Sequence, residues 1–169
     1  MYQIVTDSCC DLPYQVLQAA KVDYLSMKIQ LDEEELVDDL GKTFNYDHYM
    51  EQLRNGATPT TSQINVGQYL EFFRPYVEQN IPILYVAFSS ALSGSYSSAL
   101  QAVELLKEEY PDPQVKVFDT KAASVGEGLL VLEAVRLKNE GKTLEENLEW
   151  LENNYLKVHS WVNDMATIR

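Results

Sequence analysis

One segment narrows the fold more than any other. Residues 81–88, Ile-Pro-Ile-Leu-Tyr-Val-Ala-Phe, are apolar almost throughout, with β-branched and aromatic members. A strand with one wet face alternates apolar and polar side chains. A run like this one has to be covered on both faces, as happens inside a parallel sheet flanked by helices. The rest of the chain supplies partners for such a strand. Residues 2–6 and Val115-Lys116-Val117-Phe118 read as further strands, and 22–30 as extended chain. Between them lie helical stripes. Asp11 is placed to cap a helix carrying Leu12, Val16, Leu17 and Ala20, and Asn45 begins one that shows Tyr46, Tyr49, Met50 and Leu53 before Asn55-Gly56 stops it. Asn65 and Gln68 have capping-box spacing ahead of Val66, Tyr69, Leu70, Phe73, Tyr76 and Val77. Tyr96, Ala99, Leu100, Val103 and Leu106 form a stripe ended by Pro111 and Pro113. Gly126-Glu127-Gly128 opens an apolar helix that Gly141 ends, and Thr143 with Glu146 starts the helix of Leu144, Leu148, Leu151 and Tyr155. A last strand is expected from Val158 to Val162. The alternation predicts an α/β fold, three-layer α/β/α, with a mainly parallel sheet.

The chain has 169 residues, enough for one domain with a sizeable core, and shows no internal repeat or low-complexity linker. Its 26 acidic and 13 basic residues leave a net charge of −13. That balance argues against nucleic acid, whose phosphates demand clustered Lys and Arg, and against anionic membrane surfaces. The acidic stretch 31–39 reads as an exposed hairpin or loop rather than a metal site. No apolar run approaches the roughly 18 residues of a membrane span, and Met1-Tyr2-Gln3-Ile4-Val5-Thr6 reads as a strand, not a signal peptide. The two cysteines, Cys9 and Cys10, are adjacent, which gives no disulfide framework and no metal-ligand spacing. A reduced, cytoplasmic protein without cofactor or metal is the expectation.

In open parallel sheets, ligands bind beyond the carboxyl ends of the strands. Three expected strands end in small polar residues: Asp7-Ser8, Ser89-Ser90 and Asp119-Thr120. Two hydroxyl-rich segments should meet them there. Thr60-Thr61-Ser62-Gln63 reads as a turn opening a helix, and Ser89-Ser90-Ala91-Leu92-Ser93-Gly94-Ser95-Tyr96 joins the apolar strand to another helix. A lone Ser or Thr before a helix is ordinarily a cap. The serine cluster is different, because Gly94 admits close approach to the backbone. Free N–H groups and hydroxyls converging at helix starts suit a carboxylate or phosphate without any cation.

Other chemistries have weaker support. Ser93 lacks the Gly-x-Ser-x-Gly elbow, and its only candidate bases are His48 and His159. Neither phosphate-loop nor dinucleotide fingerprint is present, and Gly126-Glu127-Gly128 fits tight helix packing better. Among 26 acids some facing pair always exists, so a glycosidase reading gains nothing from composition.

Several motifs together resemble the DegV family of bacterial fatty-acid-binding proteins. Val5-Thr6-Asp7-Ser8 with Asp11-Leu12-Pro13 is similar to its opening. Pro59-Thr60-Thr61-Ser62-Gln63 is similar to its Thr-Ser-Gln turn. Phe88 through Ala99 is similar to its Ser-Ser-x-Leu-Ser-Gly-Thr-Tyr-x-Ser-Ala signature, with Ser95 where the family more often has Thr. Val117-Phe118-Asp119-Thr120 with Ser124, Gly126 and Gly128 is similar to its Asp-Ser…Ser-x-Gly-x-Gly segment. The resemblance covers the chain in order. It implies a non-catalytic carrier that holds a long-chain fatty acid in a tunnel between two lobes and presents the carboxylate to a fatty-acid kinase. On that pattern Thr61 and Ser93 would grip the head group, adjoined by Ser62, Gly94 and Ser95, with Asp7, Ser8, Ser90, Asp119 and Thr120 behind them. Residues 1–157 would be the first lobe and 158–169 the start of the second, which would leave an apolar wall that invites dimerisation. A serine-dependent phosphotransferase or esterase, and an inert interaction lobe, are the alternatives.

Overall fold

The computed structural model describes residues 1–159. In chain order the elements are β1 (Gln3–Asp7), a 3-10 turn (Ser8–Cys10), α1 (Tyr14–Ala19), β2 (Asp23–Leu25), β3 (Met27–Leu31), β4 (Glu34–Asp38), α2 (Tyr46–Arg54), β5 (Thr60–Ser62), α3 (Val66–Glu78), β6 (Ile83–Ala87), α4 (Ser95–Glu109), β7 (Val115–Asp119), α5 (Val125–Asn139), α6 (Leu144–Asn154) and a 3-10 turn (Tyr155–Lys157). Strands β2-β1-β6-β7, in that order and all parallel, form the middle layer.

Every residue of β6 is buried, and its pleat divides them between two cores. Leu84 and Val86, with Ile4 and Phe118, pack on Leu17 of α1, Leu130, Val131 and Ala134 of α5, and Leu144 and Leu151 of α6. Ile83, Tyr85 and Ala87, with Val5 and Val115, pack on Tyr69, Phe73 and Val77 of α3 and Ala99, Ala102 and Leu106 of α4. Three layers follow directly, because a strand with apolar side chains on both sides needs helices on both sides. Both expected capping boxes are present, at Asn65 with Gln68 and at Thr143 with Glu146. Gly128 is needed for packing: a Cβ there would lie 2.7 Å from the Cys10 carbonyl oxygen, so α5 rests directly on the turn that follows β1.

A second, antiparallel sheet in the order β4-β3-β5 stands beside the first. The acidic stretch is its β3–β4 hairpin, turning at Asp32 with φ +53°. Two local expectations need correction. Asp11 does not cap α1; it takes φ +51° to end the first 3-10 turn, which Asp7 caps by accepting from the Cys9 N–H, and Pro13 precedes α1 without a side-chain cap. The rigid φ of Pro13 suits a helix entrance by itself. Residues 60–62 do not open a helix either. They pair with β3 as an edge strand, opposing Gln30, Ile29 and Lys28, and α3 begins only after Asn65. The strand expected at 158–162 runs outside the described residues.

Candidate functional site

A cleft of about 630 Å³ lies where the carboxyl ends of the parallel strands meet the small sheet. Three segments build its polar wall. Thr61 and Gln63 come from β5 and its exit, Ser93 and Gly94 from the entry to α4, and Ser124 from the entry to α5. Met27, Ile29, Phe88, Leu92 and Ala123 make the apolar wall, and Cys9, Asp11 and Asp38 complete the lining. The two hydroxyl segments therefore do meet on one cleft, although the first reaches it as a strand.

Strand geometry explains which residues arrive. Directly opposed residues of an antiparallel pair share a face. Thr61 opposes Ile29, and Met27 opposes Asp38, so these four look into the cleft together. Ser62 opposes Lys28 on the reverse face and lines a different depression with Ser26, Asn65 and Gln68. It is therefore absent from the lining that Thr61 and Ser93 share, although the motif implied a place beside them.

The two segments also touch. A Cβ at Gly94 would lie 2.1 Å from Gln63 Oε1, so only a residue without a side chain lets the Gln63 amide lie across this turn. Ser95 is buried and committed: its Oγ accepts from the Ile64 N–H at 3.0 Å and lies 2.9 Å from Ser93 Oγ. Ser93 Oγ in turn accepts from the Ser95 N–H at 3.1 Å. Gly94, at the N-cap of α4, has no side chain to cap the helix, and the Ser93 hydroxyl takes the first helical N–H instead.

The residues expected behind the site separate into two groups. Asp7 and Ser8 are fully buried and brace the cleft floor. Asp7 accepts from the Tyr85 hydroxyl at 2.6 Å and from the N–H groups of Phe88 and Cys9 at 3.1 and 3.0 Å; Ser8 Oγ accepts from the Met27 N–H at 2.9 Å. Ser90, Asp119 and Thr120 form a separate knot outside the cleft lining. Asp119 accepts from the Ser90 N–H and pairs with Lys121 at 2.7 Å, Lys121 Nζ donates to Ser90 Oγ, and Thr120 donates to the Ala87 carbonyl at 2.7 Å.

Electrostatics give the cleft an unusual character. No Lys or Arg lines it, while Asp11 and Asp38 do. Burial, aided by the charge of Asp11, pushes the Asp38 carboxyl up despite the Leu40 N–H that it accepts. Burial also raises both thiols, Cys10 to about 12, so neither cysteine is a thiolate nucleophile. Both cysteines are free, and no cluster of three or more metal-ligating side chains occurs among the described residues. No histidine lines the cleft; His48 sits on the surface, 3.1 Å from Glu34. Ser93 therefore has no imidazole base among the cleft residues. Ser124, which takes φ +52° and ψ −132° while its N–H bonds the Cys9 carbonyl at 2.7 Å, is a strained lining residue that residue-type reasoning passed over. Gln63 was passed over as a contact too, although both stood inside the quoted motifs.

Comparison with known proteins identifies the family and the fold. The family model for uncharacterised proteins of the DegV family matches residues 1–163. A DegV domain-containing protein of Clostridium perfringens is 42% identical over 157 residues, which is 93% of this chain and 54% of that protein. Among solved structures, a stearic acid-binding protein from Eubacterium ventriosum is 32% identical with a TM-score of 0.82, covering 90% of this chain and 52% of that one. A fatty-acid-binding DegV family protein from Thermus thermophilus is 31% identical with a TM-score of 0.80, covering 92% and 53%. The chain thus spans about half the length of the relatives it matches. On its sequence and its fold, the chain belongs to the DegV family.

Proposed function

We propose that this lobe is part of a lipid carrier that holds a long-chain fatty acid by its carboxylate. The observation that carries the reading is the meeting of Thr61 and Gln63 with Ser93 and Gly94 on one cleft whose other wall is Met27, Ile29, Phe88 and Leu92. One end can bond an anion through neutral donors, and the other can cover methylenes. Relatives of similar fold described as binding stearic acid and other fatty acids support it. A sixteen-carbon tail contributes roughly 12 kcal/mol if fully enclosed, at about 0.8 kcal/mol per CH₂. Each hydrogen bond to a charged head adds about 1.5–3 kcal/mol. The tail dominates affinity, and the hydroxyls select and orient the head.

The acids Asp11 and Asp38 oppose a bound carboxylate, and no cation in the lining offsets them. In this reading the enclosing wall and any balancing cation come from the half of the relatives' length that this chain does not span. The role is carriage rather than catalysis, in the cytoplasm, with a fatty-acid kinase as the partner that receives the presented head group. An esterase using Ser93 would need an imidazole base, and no histidine is in the cleft lining. Mass spectrometry of organic extracts from the purified chain tests the carrier reading. Near-stoichiometric long-chain fatty acid is expected; extracts free of it, together with no binding of added labelled palmitate, would defeat the proposal.

A further inference from the structure

A strained turn joins β7 to α5. Ser124 there takes φ +52° with ψ −132°. Asp11 has nearly the same φ, but with ψ +23° it rests in the left-handed helical well that Asp tolerates. Ser124 lies outside that well, in a region that only a residue without a Cβ enters freely. Neighbouring segments clamp it there. Its N–H bonds the Cys9 carbonyl, after β1, at 2.7 Å, and the Ala122 carbonyl accepts from the Ser89 N–H, after β6, at 3.0 Å. The Ser124 carbonyl takes the Gly128 N–H of α5 at 2.9 Å.

All of these bonds use the backbone, and glycine at 124 would make them without strain. The helix does not account for the side chain either. A serine ahead of a helix is ordinarily held extended, so that its hydroxyl accepts from the first turn. Ser124 is not extended, and its side chain makes no cap bond among the described residues. The cleft is what the residue does line, half-buried. Thr61 from β5, Ser93 from the entry to α4 and Ser124 from the entry to α5 therefore bring one hydroxyl each, on three separate segments, to the same space. Ser93 is tied to Ser95 at 2.9 Å and accepts the Ser95 N–H, whereas Ser124 serves no helix start. Asp11 and Asp38 repel an anion in this cleft and no Lys or Arg lines it, so a neutral donor is the kind of group that favours one.

We infer that Ser124 is a specificity-determining residue: its hydroxyl donates to the bound carboxylate, and the strained turn keeps it aimed at the head group. This rests on the carrier reading. A hydroxyl has one hydrogen to give and an ionised carboxylate only accepts, so the match involves no proton transfer. A bond to a charged acceptor is roughly twice as strong as one to a neutral acceptor, and Ser124 thus favours an ionised acid over an alcohol of the same length. Strain at this position is a cost in stability that the binding site retains.

The test is calorimetric titration of the chain with decanoate and with decanol, beside thermal melts. Ser124→Ala removes the hydroxyl and keeps the strain. Decanoate binding should weaken about tenfold and decanol binding no more than about threefold, with the melting temperature moved by no more than about two degrees. Ser124→Gly removes both. It should show the same fall in the preference for decanoate over decanol, while its melting temperature rises by a few degrees. Loss of binding together with gain of stability is a signature that a merely structural serine would not give. Should Ser124→Ala fail to fold, the decanoate preference of Ser124→Gly decides in its place. Unchanged decanoate affinity in folded Ser124→Ala, or equal losses for decanoate and decanol, overturns the inference and leaves the carrier reading standing. A lower melting temperature for Ser124→Gly removes the strain and overturns it as well. No binding of decanoate or of palmitate by the unmodified chain overturns both.

Discussion

The two ends of one serine loop make an instructive contrast. At its start, Ser90 is tied to Asp119 and Lys121 in a knot of surface charge outside the cleft. A few residues on, Ser93 and Ser95 bond each other and the Ile64 N–H beside the cleft. Residue type and local sequence are almost the same at the two ends. What differs is the neighbour: β7 ends beside the first pair, whereas β5 runs past the second. A hydroxyl's role is thus set by the strand that arrives next to it.

The largest break in the contrast should come from Thr61→Ala combined with Ser93→Ala. Labelled palmitate binding should fall at least about a hundredfold, as two charge-assisted bonds are lost, while the melting temperature moves by no more than a few degrees. Ser90→Ala with Lys121→Ala should leave binding within about twofold; an equal loss at both ends would erase the distinction. Gly94→Ala comes next. The new Cβ meets the tip of Gln63, which can swing away, so a binding loss of about tenfold with nearly unchanged stability is expected in the same assay. Ser95→Ala should act on stability, because it strands the buried Ile64 N–H. Chemical denaturation should show a cost of about 1–3 kcal/mol, against about 0.5 or less for Ser90→Ala alone. The smallest effect concerns acid. Burial would raise the Asp119 carboxyl, but the bonds from Lys121 and Ser90 outweigh it and hold it below 3.8. A depressed folded value means stabilisation that is present above the unfolded value and lost as pH falls through the folded one. Asp119→Asn should therefore shallow the acid limb of a melting-temperature profile below about pH 4, with the neutral region little changed because Lys121 is exposed.

Much of the fold was legible before any coordinates. The apolar run at 81–88 could be satisfied only between two helical layers, and the capping residues Asn65 and Thr143 announce their helices by local bonds. Thr61 and Ser93 could be singled out because the motifs that hold them resemble those of the DegV family. What could not be read was anything decided by pairing. Thr60–Ser62 looks like a helix entrance by composition, yet β3 offers an unpaired edge and takes it as a strand. The same pairing removes Ser62 from the site and brings in Asp38, through its register with Met27. Asp11 looked like a cap because Asx residues often are, but Pro13 had already set the helix entrance. Ser124 was hidden for a different reason: its strained backbone goes with a bond to the Cys9 carbonyl, a residue far away in the sequence.

The placement of Thr61 on a pleated edge carries a penalty for length. Removing one residue between Gly56 and Pro59, where the chain runs from α2 to β5, would let the strand re-pair one step along and exchange inward for outward positions. Ser62 or Thr60 would then point at the guest while Thr61 turned to water, with every side chain chemically intact. If Thr61 grips the head group as proposed, spacing upstream of this strand is as much a part of the binding determinant as the alcohol group itself.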